Sequence, residues 1–298
     1  SLERSLGSPQ GLAFLVFPGL IYGADHPFGH PPTRTPASVA KLTVEQVRDQ
    51  HAALLQPQRS ALIATGDIDL ATAMELAEGA FGDWRGGEGG AAPVPAVEAT
   101  PRTTIYAIDR PGAPQTMVLF GRPIFAKGHP DEVPLTLGNE AWGGSFTSRL
   151  NMNLREEKGY TYGARSQVAL RRGVGVFLAY AAVQTQYTGA SVAEIFGELR
   201  DLGSEPLSAE ELELAREGIV RSLTGEFQST SAAASAAAGL FVNDLELDYF
   251  QTLGPRYAAA DLEAIRSATQ RYLEPELMQV LLVGDLAAIR PQLEALGL

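Results

Sequence analysis

The sequence predicts an α+β protein with two related domains, of which the first is incomplete. Helix and strand patterns are interspersed along the chain, and its 298 residues fit two domains of ordinary size. Two strand-like runs near 160–170 and 174–184 flank Arg171-Arg172-Gly173, which predicts a β-hairpin. A helix–strand pattern from the first part of the chain also returns in its last part, which indicates a duplication.

Composition excludes several classes of function. The formal net charge is −12, which argues against a general binder of nucleic acids or anionic membranes. The chain has no cysteine, so disulfides, thiol catalysis and thiolate metal sites are excluded. No apolar run reaches the roughly 18 residues of a membrane span. A chain of this composition is compatible with either the cytoplasm or the periplasm.

Residues 1–84 are predicted to be the C-terminal part of the first domain. Short apolar runs alternate there with prolines, glycines and helix-start signals. The predicted elements are a helix fragment at 12–17 that Pro18 and Gly19 interrupt, a loop at 23–32, a helix that begins at Thr43, a buried strand at 60–65 and a helix at 70–81.

Residues 85–101 are rich in Gly, Pro and Ala and are predicted to be a linker. A complete second domain is expected at 102–298. Besides the hairpin, its predicted elements are strands at 103–109 and 116–121, helices at 131–142 and 188–202, a long helix capped by Ser208, and a closely packed alanine-rich helix at 231–239.

The duplication aligns the first domain with the end of the chain without gaps. Val47 is matched by Ile265, 218 positions later, and Gly66-Asp67 by Gly284-Asp285. Both copies have the order helix, Pro, strand, Gly-Asp, helix. The alternative to a duplication is a common local αβ motif that occurs twice. On this alignment the first copy lacks on the order of 115 residues at its front, which leaves a sheet face uncovered. We therefore expect a fragment, a processed piece or a chain that needs a partner.

The stretch 139–163 is the one around which the chain is organised. Phe146, Leu150 and Leu154 recur every four residues and predict one face of a helix. Gly159 suits the C-cap of that helix because glycine tolerates a left-handed backbone. The following Tyr-Thr-Tyr alternates into a predicted strand.

Arg155 and Tyr162 are the candidate functional residues of this stretch. Arg155 lies at the end of the predicted helix and Tyr162 just inside the next strand, so both can point into one cleft. The alternative is a surface arginine and a tyrosine on the face of a strand.

His26 and His30 are four residues apart, a spacing that suits a metal on a helix. Pro27 and Pro31 disfavour a regular helix there, and no Asp or Glu lies between the two histidines. A structural loop is therefore the favoured interpretation of this segment.

Several short motifs together resemble the insulinase/pitrilysin family of zinc peptidases, which includes mitochondrial processing peptidase. They occur in the family's order and span nearly the whole chain. The motifs are Leu154-Arg-Glu-Glu-Lys-Gly-Tyr-Thr-Tyr162, Gly143-Gly-Ser-Phe-Thr-Ser-Arg-Leu150, Tyr22-Gly-Ala-Asp-His-Pro-Phe-Gly29, Pro114-Gln-Thr116, Gly66-Asp67 and Gly284-Asp285. The resemblance implies two homologous, metalloprotease-like α+β domains that enclose a chamber, each with a largely antiparallel sheet packed by helices.

The resemblance also implies where zinc would bind. Active members carry an inverted His-x-x-Glu-His motif in the first domain and a third Glu ligand further on. This sequence has no such motif, and the third ligand would fall near Glu3, a weak candidate. We therefore expect no cofactor in this chain, zinc in the complete enzyme or in a partner subunit, and no peptidase activity from the chain alone. The implied partners are a peptide substrate and a zinc-bearing homologous domain or subunit, or a homodimer.

By resemblance, Arg155 and Tyr162 match the second-domain Arg and Tyr of the family, which would bind the peptide and stabilise the oxyanion. Two other functions are considered. One is a non-catalytic structural or peptide-binding module of a larger assembly, and the other is an independent metal enzyme that uses His26 and His30. The sequence predicts no nucleotide site, because Gly143-Gly144-Ser145 lacks the lysine of a P-loop.

Overall fold

The computed structural model describes residues 6–30, 39–86, 93–98 and 101–298. Its centre is a five-stranded sheet with the spatial order β1-β5-β2-β4-β3. The strands are β1 (Thr104–Asp109), β2 (Gln115–Ile124), β3 (Thr161–Ala169), β4 (Gly175–Gln184) and β5 (Gln279–Gly284). β5 runs parallel to β1, and the other neighbouring pairs are antiparallel. The predicted α+β class with a largely antiparallel sheet is confirmed.

Helices surround this sheet and precede it in the chain. They are α1 (Pro9–Tyr22), α2 (Val44–Leu54), α3 (Leu70–Phe81), α4 (Glu132–Asn139), α5 (Arg149–Asn151), α6 (Thr188–Ser204), α7 (Ala209–Gly225), α8 (Thr230–Asn243), α9 (Tyr249–Ala259), α10 (Leu262–Tyr272) and α11 (Leu286–Glu294). A wider π-helical turn extends each of two helices: Glu140–Gly144 follows α4, and Met152–Glu157 follows α5. None of the described helices is both long and apolar enough to span a lipid bilayer.

The two faces of the sheet are covered by different layers. Because side chains alternate along a strand, Val118 and Phe120 of β2 join the larger core, which includes residues of α4, α6 and α10. Met117 and Leu119 face the opposite way and pack with α1. β5 is buried along its whole length, which explains its uninterrupted apolar sequence.

Helix α1 continues through Pro18, so the predicted interruption there is wrong. Proline removes one backbone hydrogen bond and costs about 3 kcal/mol inside a helix. Ala13, Phe17 and Ile21, four residues apart, are buried against the sheet. Burial of the two large side chains, Phe17 and Ile21, contributes about 1.5–3 kcal/mol each. Gly121 of β2 makes room for this packing, since a Cβ there would lie 2.9 Å from the Phe17 ring.

The segment that contains α2 and α3 departs most from the prediction. Both helices form, and Thr43 caps α2 through a capping box with Gln46. Neither helix buries a residue, however, and the predicted buried strand at 60–65 is wrong. Within the described part of the chain these residues join no strand, and Leu62 is 62% exposed.

Most predictions for 101–298 are confirmed, including the hairpin, the helix at 188–202 and the helix capped by Ser208. The alanine-rich segment also forms a helix, α8. Its predicted close packing is wrong, because no residue of α8 is buried.

Candidate functional site

A tight connection between α5 and β3 places Arg155 and Tyr162 on either side of one turn. Arg155 lies in the π-helical turn Met152–Glu157, and Tyr162 is the second residue of β3. The N–H of Tyr160 donates to the carbonyl of Leu154 over 2.9 Å, which closes the turn. Gly159 has a φ of +65°, so the predicted glycine cap of this helix is confirmed.

The helix is anchored by two of the three residues predicted to line its apolar face. Leu150 and Leu154 are almost fully buried in the larger core. Phe146 is 49% exposed, because the helix begins only at Arg149 and Phe146 precedes it. The assignment of Phe146 to the buried face is therefore wrong.

Phe146 instead supports Arg155. The Arg155 guanidinium carbon lies 4.6 Å from the centroid of the Phe146 ring, a cation–π contact. Arg155 Nε is also 3.3 Å from the Oε1 of Glu156, and the two side chains are 37% and 45% exposed. Ion pairs that are exposed to this extent are weak, so the guanidinium stays available to another anion.

Tyr162 lies in an irregular part of β3. Thr161 pairs with Val183 and Ala164 with Ala181, so Tyr162 and Gly163 oppose a single residue of β4 in a β-bulge. Tyr162 is 91% exposed. Its hydroxyl has no hydrogen-bond partner among the residues described by the structure, and it is a free donor at the edge of the sheet.

Asn151 joins the two sides of this site, and the sequence analysis missed it. Its Nδ2 donates to the carbonyl of Phe146 over 2.6 Å, and its Oδ1 accepts the N–H of Ala164 over 3.0 Å. Asn151 is 1% exposed. Helical periodicity gives no signal for it, because a polar residue next to Leu150 would ordinarily be expected on the outer side of the helix.

A polar cluster fixes the outer side of the same helix. Lys158 Nζ lies 3.1 Å from Glu194 of α6, whose hydrogen bond and charge raise the pKa of Lys158. Asn153 Nδ2 donates to both Glu194 and Glu198. Burial raises the pKa of Glu194, but these bonds outweigh it and hold that pKa below its usual value. Lys158 therefore connects the end of this helix to α6.

The start of β3 also packs closely on the π-helical turn that follows α4. A Cβ on Gly143 would lie 2.3 Å from Ser166 Oγ, and that hydroxyl donates to Asn139 Oδ1 over 2.7 Å. Nearby, burial raises the pKa of Glu140, and Arg165 opposes the shift. This contact holds β3 closely against the π-helical turn and the end of α4.

The structure does not bring His26 and His30 together as a metal site. His26 is buried, its Nδ1 accepts the N–H of Phe28 over 3.0 Å, and its Nε2 lies 3.1 Å from the carbonyl of Pro95. His30 is exposed. Glu3 lies outside the described residues. Residues 6–30, 39–86, 93–98 and 101–298 contain no cluster of three or more His, Asp or Glu that fits zinc.

Comparison with known proteins agrees with this description. A family model described as the peptidase M16 inactive domain matches residues 41–219. A Mycobacterium tuberculosis protein described as an uncharacterized zinc protease is 28% identical over 227 residues. That alignment covers 73% of this chain but 47% of the relative, so the chain spans about half the length of the relative it matches.

Two solved structures share the fold. A peptidase M16 inactive domain from Pseudomonas fluorescens superposes with a TM-score of 0.83 at 21% identity, covering 95% of this chain and 68% of that one. A chain of complex III2 from Candida albicans gives 0.80 at 12% identity, covering 98% and 72%. With more than half of its length matched by the family model, the chain belongs to the peptidase M16 inactive-domain family.

Proposed function

We propose that this chain is the non-zinc part of an insulinase-like zinc metallopeptidase and that Arg155 and Tyr162 act on the peptide substrate. Within it, residues 1–84 would be the end of a first domain, 85–101 a linker and 102–298 a second domain related to the first by duplication. The zinc ligands would belong to a homologous catalytic domain or subunit.

The observation that carries this proposal is the exposed Tyr162 hydroxyl on the strand that directly follows the helical turn of Arg155. Tyr162 lies in the bulge of β3 and is 91% exposed, so its side chain contributes nothing to the core. Arg155 is held over Phe146, and among the described residues its one ion pair is the exposed one with Glu156. Both groups are thus free to meet a molecule that approaches this edge of the sheet.

Their chemistry suits the hydrolysis of a peptide bond. Attack on a peptide carbonyl converts the neutral oxygen into an oxyanion. A phenol hydroxyl donates one hydrogen bond to that oxygen, and a guanidinium adds positive charge with further donors. In this arrangement Tyr162 contacts the developing oxyanion, while Arg155 holds a neighbouring carbonyl of the substrate.

The proposal also requires this chain to be inactive by itself. The sequence has no His-x-x-Glu-His motif, and the described residues offer no alternative zinc site. Activity then depends on a second unit that binds zinc and closes against the edge that carries Arg155 and Tyr162.

The test measures zinc content and cleavage of a mixed fluorogenic peptide set. The chain is assayed alone and together with a zinc-bearing unit of the same family. We expect no zinc and no cleavage alone, and cleavage on mixing that exceeds the activity of the zinc-bearing unit by itself. Stoichiometric zinc with cleavage by the isolated chain would show that the proposal is wrong.

A second candidate function is a non-catalytic subunit of a larger assembly. It is favoured by the fold shared with a chain of the Candida albicans complex III2. In this alternative, a reconstituted peptidase keeps its full activity without Arg155 and Tyr162. Cleavage by the Tyr162→Phe variant tests that requirement directly.

A further inference from the structure

A cavity lies between helix α1 and the hairpin end of β3 and β4. It has a volume of about 460 Å³, and Phe14, Phe17 and Ile21 of α1 line one side of it. Val176 and Leu178 of β4 line another side. The volume lies in the range of small-molecule sites. We call this cavity the α1 pocket.

The apolar sides of the α1 pocket are firmly held. Of the five side chains just named, all but Phe14 are buried in the core that α1 shares with the sheet. Phe14 is partly exposed, and its ring packs edge-on against Tyr180 of β4, with 5.3 Å between the ring centroids. A preformed apolar pocket of this kind accepts an apolar ligand without the cost of ordering its own side chains.

Aromatic residues after α1 complete the pocket. Tyr22 and Phe28 line it, and their ring centroids are 5.7 Å apart. Tyr22 also stacks on His26, whose Nδ1 accepts the N–H of Phe28 and whose Nε2 lies 3.1 Å from the carbonyl of Pro95. The turn Pro27–Gly29 is therefore fixed against the end of α1.

Arg171 gives the α1 pocket a positive charge. It lies in the turn of the hairpin, where its carbonyl accepts the N–H of Lys127 over 3.0 Å. Its exposed side chain lines the pocket, with the guanidinium carbon 5.4 Å from the centroid of the Phe28 ring. It forms no ion pair with any described residue, and none of the described residues that line the pocket is acidic. An anion is therefore favoured here, although the chain has a net charge of −12.

Tyr22 adds an unused hydrogen-bond donor. Its side chain is 7% exposed, and its buried hydroxyl has no hydrogen-bond partner within the described part of the chain. Burial raises the pKa of Tyr22, and the positive charge of Arg171 opposes that rise, so the two groups are close enough to interact. A buried hydroxyl without a partner is costly, and a ligand that accepts its hydrogen bond removes that cost.

We propose that the α1 pocket binds a small aromatic carboxylate. The ring of the ligand packs among Phe14, Phe17 and Leu178, because edge and face contacts between aromatic rings are favourable. The carboxylate pairs with Arg171, whose planar guanidinium matches both carboxylate oxygens. It also accepts the hydrogen bond of the Tyr22 hydroxyl.

This site lies away from Arg155 and Tyr162. Gln167 and Ala169 of β3 line the α1 pocket, and Gln167 is about 16 Å along an extended strand from Tyr162. The inference therefore goes beyond the proposed function, and either of the two can fail without the other. A free aromatic acid and the C-terminal carboxylate of a peptide that ends in phenylalanine share this chemistry.

The test is calorimetric titration of the full chain with phenylbutanoate. We expect saturable binding, whereas phenylbutylamine, which has the same ring with the opposite charge, should bind about tenfold more weakly. Arg171→Met should weaken the binding of phenylbutanoate about tenfold. Arg172→Met is the matched control, because Arg172 is the next residue in the same turn and lines a different cavity, and this variant should bind normally.

Tyr22→Phe gives a second measurement. Because the hydroxyl lacks a partner in the free chain, we expect no fall in melting temperature but about fivefold weaker binding of phenylbutanoate. A tyrosine with only a structural role would not weaken binding.

Acetylphenylalanine distinguishes the two sources of the carboxylate. Tighter binding than phenylbutanoate assigns the site to a peptide end and weaker binding assigns it to a free acid, and either order supports the inference. No saturable binding of either acid, equal binding of phenylbutanoate and phenylbutylamine, or equal losses from Arg171→Met and Arg172→Met would overturn it.

Discussion

The side chain of Asn151 accepts a hydrogen bond from the backbone N–H of Ala164, at 3.0 Å, where the bulge of β3 ends. The same side chain donates to the carbonyl of Phe146 over 2.6 Å. One buried amide thus ties the residue that supports Arg155 to the strand that carries Tyr162. The spacing of the candidate site depends on it.

Replacement of this amide should destabilise the chain. Asn151→Ala leaves the buried N–H of Ala164 without a partner, and we expect a loss of about 1–3 kcal/mol in the free energy of unfolding, measured with urea. Asn243→Ala is the control, because Asn243 Nδ2 donates to the carbonyl of Gly239 within its own helix, α8, which has no buried residue. Equal losses in the two variants would contradict the positioning role.

Removal of the Tyr162 hydroxyl should affect catalysis and leave stability unchanged. In a peptidase reconstituted with a zinc-bearing unit, we expect Tyr162→Phe to lower kcat about 100-fold, because one oxyanion donor is lost. The melting temperature should stay the same, since Tyr162 is 91% exposed and its hydroxyl has no partner among the described residues. Tyr106→Phe on β1 is the control and should retain full activity.

The Phe146 ring should contribute to activity through Arg155. Phe146→Leu removes the cation–π contact, which at an exposed site contributes about 0.5–1 kcal/mol. We therefore expect a two- to five-fold fall in kcat/KM, and Phe146→Tyr should restore it because an aromatic face returns. Failure of the tyrosine variant to restore activity would show that Phe146 acts in another way.

The pair formed by Glu211 and Arg149 should make stability depend on acidity. The hydrogen bond from Arg149 lowers the pKa of Glu211 from 4.5 to about 2, with help from Ser208 at the start of α7. Because the folded-state pKa is depressed, this contribution is present above pH 4.5 and is lost as the pH falls towards 2. We expect Glu211→Gln to cost about 1 kcal/mol at neutral pH and nothing near pH 2, measured by denaturation at each pH.

Two glycine substitutions should shift stability in opposite directions. Gly143→Ala places a Cβ against Ser166, so we expect a loss of about 1–3 kcal/mol from overpacking. Gly197 lies inside α6 with no atom within 4 Å of an added Cβ, so Gly197→Ala should stabilise the helix by about 0.5–1 kcal/mol. Thermal unfolding of the two variants compares them directly.

The sequence predicted those elements whose signals are local. A helix cap depends only on nearby backbone groups. The structure has the predicted helix starts at Thr43 and Ser208 and the predicted helix end at Gly159. The continuation of α1 past Pro18 was missed, because the burial that compensates for the proline comes from a sheet more than ninety residues away.

The remaining errors concern residues whose burial or role depends on parts of the fold that are distant in the sequence. Residues 60–65 have the composition of a buried strand, but composition does not reveal whether a neighbouring strand is present. Phe146 fitted the helical period, and only the start of the helix at Arg149 shows that it lies outside. The role of Asn151 could not be predicted from the sequence, because it depends on two hydrogen bonds to residues in different parts of the fold.

The position of β5 has a consequence for how the polypeptide folds during synthesis. β1 pairs with β5 alone, and its residue Thr104 lies opposite Gln279. While a ribosome translates the intervening stretch, β4 can already pair with both β2 and β3, but β1 must wait for β5. Closure of so long a loop is slow. The nascent chain therefore keeps β1 and the β5-facing edge of β2 unpaired until β5 has been synthesised.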